Sequence, residues 1–171
     1  GKQLSEIVKK LLNKHINSQV YIVLSNKKEI ISEHGLLKEI DDSKIVIDSY
    51  TNSIKNRSLK FFDSEGFHIR HIYNANFLDI FDTEQTNVLA YKLRDKNNRK
   101  WIINNLKTSL NETVFVISKQ NYALTVLKGR LDDMGIMGLK VKIPPYYNRE
   151  ETLEYNTIFN VYNENLTDLT K

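Results

Sequence analysis

At 171 residues the chain holds one large domain or two small ones, and its 40% hydrophobic and 27% charged content is ordinary globular usage that excludes a disordered or fibrous chain. No cysteine is present, which removes disulfides, thiol catalysis and Cys-ligated zinc. The 25 basic against 21 acidic residues leave a formal charge of +4, a mild excess that permits a polyanion without requiring one.

Leu4, Ile7, Val8, Leu11 and Leu12 recur at i, i+3, i+4, i+7 and i+8 and predict a first helix, with Lys9, Lys10 and Lys14 outside the apolar stripe. The period then shortens to that of strands. Val20–Leu24 is a β-rich run, Gly35 opens Leu36–Ile40, and Asp41-Asp42-Ser43 supplies turn chemistry before Ile45–Ile47. Leu59–Phe62 and Phe67–Tyr73 complete five strands. Asn74–Lys100 is polar but carries Phe77, Leu78, Ile80, Phe81, Val88, Leu89 and Leu93, too apolar for a free tether. Ile102, Ile103, Leu106 and Leu110 predict a second helix. Val114–Ile117, Gly129–Met134, a Gly135–Gly138 turn and Leu139–Ile143 follow, and Pro144-Pro145 ends that strand by removing two ladder donors. Leu153–Tyr155 and Thr157–Tyr162 are the last two strands expected.

The order repeats. Val8–Ile47 aligns without a gap on Ile102–Val141 at a constant offset of 94, pairing Leu12 with Leu106, Val20 with Val114, Leu37 with Leu131 and Ile47 with Val141. Asn17/Asn111 and Gly35/Gly129 coincide at positions that read as cap and turn. Five short strands cannot lie flat with both edges open, so each copy is expected to curl into a small barrel with its helix over one end. The fold class is therefore mainly β with short helices, as two tandem five-stranded SH3-like barrels. The first occupies 1–75, a linker segment 76–98, and the second 99–171.

Gly35–Ser49, reading GLLKEIDDSKIVIDS, resembles the first signature of Sm-like proteins, above all their bacterial Hfq branch: Gly, two apolar residues, Lys, any residue, an apolar residue and Asp ahead of an alternating strand. The second signature is matched in part, by Glu65-Gly66-Phe67-His68-Ile69 with Ile72, and by Leu153-Glu154-Tyr155-Asn156-Thr157-Ile158 with Val161. The resemblance spans all but the middle segment and the termini. It implies Sm-like barrels with Leu37, Ile40, Ile45 and Ile47 pointing inward. It also implies single-stranded RNA binding at two turns, in a regulatory or chaperone role. Those turns would present Asp42, Ser43, Lys44, Gly66, Phe67 and His68 in the first copy, and Ile136, Met137, Gly138, Tyr155, Asn156 and Thr157 in the second. It implies rings built by pairing the fourth strand of one barrel with the fifth of the next, so that a homo-oligomer of three chains would imitate a hexamer. This chain departs from the family in lacking an Asn in the first turn, in placing Glu65 and Glu154 where the family has a basic residue, and in carrying Tyr155 in place of Gly. An acidic side chain beside a phosphate repels it.

Phe67-His68-Ile69-Arg70-His71 joins an aromatic ring, two imidazoles and a guanidinium, the groups that grip single-stranded RNA by stacking and charge. The same run also reads as a strand with Phe67, Ile69 and His71 on one face and His68 and Arg70 solvated on the other. Lys92, Arg94, Lys96, Arg99 and Lys100 precede Trp101 and offer a phosphate clamp, or a solvated segment whose Trp anchors the next helix. Asp41-Asp42 and Asp132-Asp133 are accounted for by turn chemistry. No nucleophile, P-loop, dinucleotide fingerprint or metal-ligand spacing accompanies them, so neither enzyme activity nor a cofactor is expected. No apolar run reaches the ~20 residues of a membrane span and no charged-then-apolar leader opens the chain, so a cytoplasmic protein is expected. Two functions remain open: binding of single-stranded RNA, or a non-catalytic protein–protein module that has lost its RNA contacts.

Overall fold

The computed structural model describes residues 4–80 and 98–170, which fall into two compact units divided between Tyr91 and Lys92. In the first unit α1 (Glu6–Asn13) is followed by β1 (Gln19–Ser25), β2 (Ile30–Ile40), β3 (Lys44–Ser49), β4 (Arg57–Lys60) and β5 (His68–Tyr73). In the second, α2 (Asn98–Leu106) and a 3-10 turn at Lys107–Ser109 precede β6 (Thr113–Gln120), β7 (Ala123–Met134), β8 (Leu139–Ile143), β9 (Arg149–Leu153) and β10 (Ile158–Asn163). All pairings are antiparallel, and the spatial orders β4-β3-β2-β1-β5 and β9-β8-β7-β6-β10 are the same order met twice. Neither sheet is closed by hydrogen bonds, since β4 and β5, like β9 and β10, stand at opposite ends of the order. The expected barrels are thus two open five-stranded sheets, each with a helix before it.

The duplication extends to the backbone. Asn17 and Asn111 sit in the left-handed region at φ 67° and 68°, where a short polar side chain is tolerated. Each donates its N–H to the equivalent leucine carbonyl, Leu37 or Leu131, at 2.7 Å. Gly35 and Gly129 lie where β2 and β7 pass closest to the next strand: a Cβ on Gly35 would stand 2.9 Å from the Asp48 carbonyl carbon, and one on Gly129 2.6 Å from the Lys142 oxygen. Bulges follow just beyond, between Leu37 and Glu39 and between Leu131 and Asp133. Such bulges increase twist and let a long strand serve two neighbours.

The first core gathers Leu12, Val20, Ile22, Leu24, Leu37, Ile45, Ile47, Leu59, Ile69 and Ile72, and the second Ile102, Leu106, Val114, Val116, Leu131, Leu139, Val141, Leu153, Ile158 and Val161. Helix α1 is capped by Ser5, whose hydroxyl accepts from the Val8 N–H, and it docks through Leu12 with Leu4, Val8 and Leu11 around it. Ile7 does not join them and is 67% exposed. At 3.6 residues per turn it lies about 140° from Leu12. Leu110 is likewise exposed, because the 3-10 turn rotates the phase and buries Ser109 instead. The strand expected at Leu153–Tyr155 lies earlier, at Arg149–Leu153, and Tyr155–Thr157 form a 3-10 turn.

A bulge in β5 overturns the simple alternation expected for Phe67–His71. Val23 pairs with His71 but Leu24 with Ile69, which leaves Arg70 as the extra residue. Ile69 and Ile72, three apart, therefore both reach the core, and His71 does not share the face of Ile69. The second unit does the same with Phe159 between Ile158 and Asn160.

The first unit also continues past residue 75. Tyr73 bridges Asp79, and the Ile80 N–H donates to the Ile72 carbonyl at 2.7 Å, so 74–80 form a strap along the end of β5. Asn74 builds the turn, its Oδ1 accepting from the backbones of Asn76 and Leu78. Phe77, at φ 61°, stacks on Tyr21 with ring centroids 4.6 Å apart. The second unit repeats the device through Tyr162–Asp168, Leu169 N–H to the Val161 carbonyl at 2.8 Å, and Leu166 at φ 63°. The sequences Tyr73-Asn74-Ala75-Asn76-Phe77-Leu78-Asp79-Ile80 and Tyr162-Asn163-Glu164-Asn165-Leu166-Thr167-Asp168-Leu169 are a second repeat, at an offset of 89. Across each strap, His71 Nδ1 stands 2.8 Å from Asp79 Oδ2, and Asn160 Nδ2 donates to Asp168 Oδ2 at 3.2 Å.

Candidate binding surface

The β2–β3 turn is held by its own first residue. Asp41 Oδ1 accepts from the Ser43 N–H, the Ser43 hydroxyl and the Lys44 N–H at 2.8 to 2.9 Å. The Ser43 amide above all, with its hydroxyl and Lys44, holds the Asp41 carboxyl below its ordinary value. Asp42 takes the Lys9 ammonium of α1 at 2.5 Å, and that hydrogen bond raises the Lys9 pKa. The Ser43 carbonyl accepts from Phe61 N–H at 2.9 Å, which sets the start of the β4–β5 loop beside the turn. Within that loop Asp63 Oδ1 accepts from the Glu65 and Gly66 amides at 3.0 Å each, and these bonds, that of Gly66 first, depress its pKa. Glu65 pairs with Lys27 at 3.4 Å.

The two turns expected to bind RNA in the first copy are therefore neighbours, but their side chains are committed elsewhere. Asp42 holds α1 and Ser43 holds the turn. Phe67 packs against the core and Lys44 is half-buried. Arg70 stands at the bulge with its Nε donating to Ser25 Oγ at 2.7 Å. The His68 Nδ1 is buried without a hydrogen-bond partner. No stack of exposed Phe67, His68 and Arg70 results.

The second unit differs at the same places. Tyr155 is buried and its hydroxyl donates to the Gly135 carbonyl at 2.5 Å, joining the β9–β10 connection to the β7–β8 turn. Burial pushes the phenol pKa up, and Arg99, which lies over the ring at 5.9 Å, partly opposes this. Arg99, Lys100 and Asn156 are exposed, and Trp101 packs against the core. Lys92, Arg94 and Lys96, like Phe81, Val88, Leu89 and Leu93, lie outside the described residues. Where the first unit has Asp42-Ser43, the second has Ile136-Met137, which are 83% and 73% exposed between Gly135 and Gly138. Gly135 N–H and the Gly138 carbonyl close this turn at 3.0 Å, as Asp41 N–H and the Lys44 carbonyl close the other.

Charge is not concentrated in either unit. Residues 4–80 hold 11 basic and 10 acidic residues, and 98–170 hold nine and eight. Among the described residues no cluster of three or more potential metal ligands occurs, and no helix is long and apolar enough to cross a membrane. No family model, no curated protein and no solved structure matches the chain.

Proposed function

We infer that the chain is a non-catalytic binding module made of two Sm-like five-stranded units, turned from RNA toward protein contact. Strand order, the preceding helix and the close approach at Gly35 and Gly129 support the Sm-like reading of each unit. The observation that carries the protein-binding reading is the second β-hairpin tip. A turn that is polar and self-capped in one copy carries two solvent-exposed apolar side chains in the other, at the same position. An exposed apolar tip costs solubility and is repaid by a partner surface with an apolar cleft. The near-neutral units, the acidic residues Glu65 and Glu154 and the engaged Arg70 speak against an Sm-type RNA site.

The test is a photo-crosslinking residue in place of Met137, activated in cells. Adducts resistant to nuclease and destroyed by protease are expected. Nuclease-sensitive adducts, or none, would overturn the reading. One observation favours nucleic acid as a second reading: Arg99 and Lys100 are both exposed, and Arg99 lies over the Tyr155 ring. Fluorescence anisotropy with a labelled single-stranded RNA decides it. That reading expects binding that falls steeply with salt and is weakened by Arg99→Ala.

A further inference from the structure

Each sheet has two ends. At one, the straps hydrogen-bond along β5 and β10, at Ile72–Tyr73 and Val161–Tyr162, and the bulges at Arg70 and Phe159 break the rest of the edge. Ring closure through a fifth strand would need that edge. At the other end, β4 pairs only with β3 and β9 only with β8 among the described residues. An open strand edge is a template for another strand, and charged side chains decide which one it accepts.

The two open edges carry opposite charge. β4 reads Arg57-Ser58-Leu59-Lys60, and β9 reads Arg149-Glu150-Glu151-Thr152-Leu153. Leu59 and Leu153 fill their own cores, so Lys60 and Ser58 share the outward face of β4, and Glu150 and Thr152 the outward face of β9. With faces matched, antiparallel pairing of two β4 edges about Leu59 sets Lys60 against Ser58, and pairing of two β9 edges about Glu151 sets Glu151 against itself. The first gives Lys60 no opposite charge, and the second places like charges opposite each other. Pairing β4 with β9 instead sets Lys60 against Glu150 and Ser58 against Thr152, with outward faces matched. Lys60 has only a loose contact with Asp63, at 3.8 Å, to give up.

We propose that the β4 edge of one chain pairs with the β9 edge of a second copy, so that the protein assembles head to tail. Each chain then offers one edge of each sign, and the assembly closes into a ring or grows as a filament according to the angle between successive copies. This inference stands apart from the hairpin-tip surface, since neither strand includes Ile136 or Met137.

Sedimentation velocity of the whole chain over a hundredfold concentration range, at low and high salt, tests it. Self-association that weakens with salt is expected. Lys60→Glu and Glu150→Lys each weaken it about tenfold, and the double variant restores it, since the pair is then reversed. Both positions are exposed, and unchanged circular dichroism confirms the fold of each variant. A single-chain mass at every concentration would overturn the proposal. So would association that ignores the single substitutions, or that the double variant fails to restore.

Discussion

Gly135 and Gly138 flank the same two-residue tip, yet the structure assigns them opposite responses to a methyl group. A Cβ on Gly138 would stand 2.7 Å from the Leu153 carbonyl carbon and closer still to its oxygen, with the Glu154 nitrogen at 3.1 Å. Every one of these atoms is backbone, so β8 and β9 must part by about 1 Å to reach ordinary contact. The parting falls beside the Leu139–Leu153 pair, both members of which are buried in the second core. Overpacking of this kind costs about 2–3 kcal/mol. On Gly135 the nearest atom is Lys140 Cε at 3.4 Å, the movable end of a long side chain, and its φ is not positive. Gly135→Ala then acts mainly on the unfolded chain and stabilises by about 0.4–1 kcal/mol. Trp101 is the only tryptophan and packs on the second core, so its fluorescence reports unfolding of this unit alone. With a urea slope of about 1 kcal/mol/M for so small a unit, the two midpoints should differ by roughly 2–4 M, Gly138→Ala being the lower. Equal midpoints, or the reverse order, would refute the reasoning.

Phe77→Ala removes a ring stacked on Tyr21 and should cost the first unit about 3 kcal/mol, read as faster amide exchange in β1 and β5. Glu33, with its side chain 1% exposed, has Arg57 Nε 2.6 Å from its carboxylate. Arg57→Met should cost about 3–5 kcal/mol in thermal unfolding, while Glu33→Leu combined with Arg57→Met should recover most of it, because no lone charge then stays buried. Burial, with Lys14 beside it, holds the His15 imidazole below its ordinary 6.5. The unfolded chain therefore binds that proton more readily, and the stability is complete above the unfolded value and lost as pH falls through the folded one. Asp41 and Asp63, held below their ordinary 3.8, add a second loss at more acid pH. Urea midpoints of the first unit should fall from pH 7.5 to 5.5, a drop His15→Gln should flatten, and fall again below about pH 4.

The helices, ten strands and duplication were legible where both copies keep the same spacing. From Val8 to Ile47 the strands β1 to β3 differ from their counterparts by one residue in length and keep the same register, so Leu37/Leu131 and Gly35/Gly129 align at 94 without a gap. Beyond β9 the connection is shorter in the second copy and the offset drops to 89, which hides the strap repeat although Tyr, Asn, Asn and Asp recur there in identical order. The bulges at Arg70 and Phe159 were illegible for another reason. A bulge inserts one residue without a composition of its own, and only the three-residue gap between the core positions Ile69 and Ile72 betrays it. The contacts of the charged site residues were illegible because their partners lie far along the chain: Lys9 reaches Asp42, and Ser25 reaches Arg70.

A duplicated unit supplies its own control. Where both copies hold an improbable arrangement, such as a left-handed Phe77 matched by a left-handed Leu166, the shared strap turn built on Asn74 and Asn163 demands it, since the two positions themselves carry different side chains. Where the copies hold one backbone but opposite chemistry, the fold is indifferent and another requirement sets the residues. The hairpin tips close with equivalent hydrogen bonds around Asp42-Ser43 and around Ile136-Met137, and the outer strands β4 and β9 pair alike while carrying opposite charge. Stability gives no reason for exposed Ile136 and Met137, since an exposed polar pair closes the same turn in the first unit. On the proposed function, the requirement left is contact with a partner protein. On this argument, exchanging Ile136-Met137 for Asp-Ser should leave the Trp101-reported urea midpoint within about 0.5 kcal/mol of its starting stability. A large loss would show that the tip serves the fold after all.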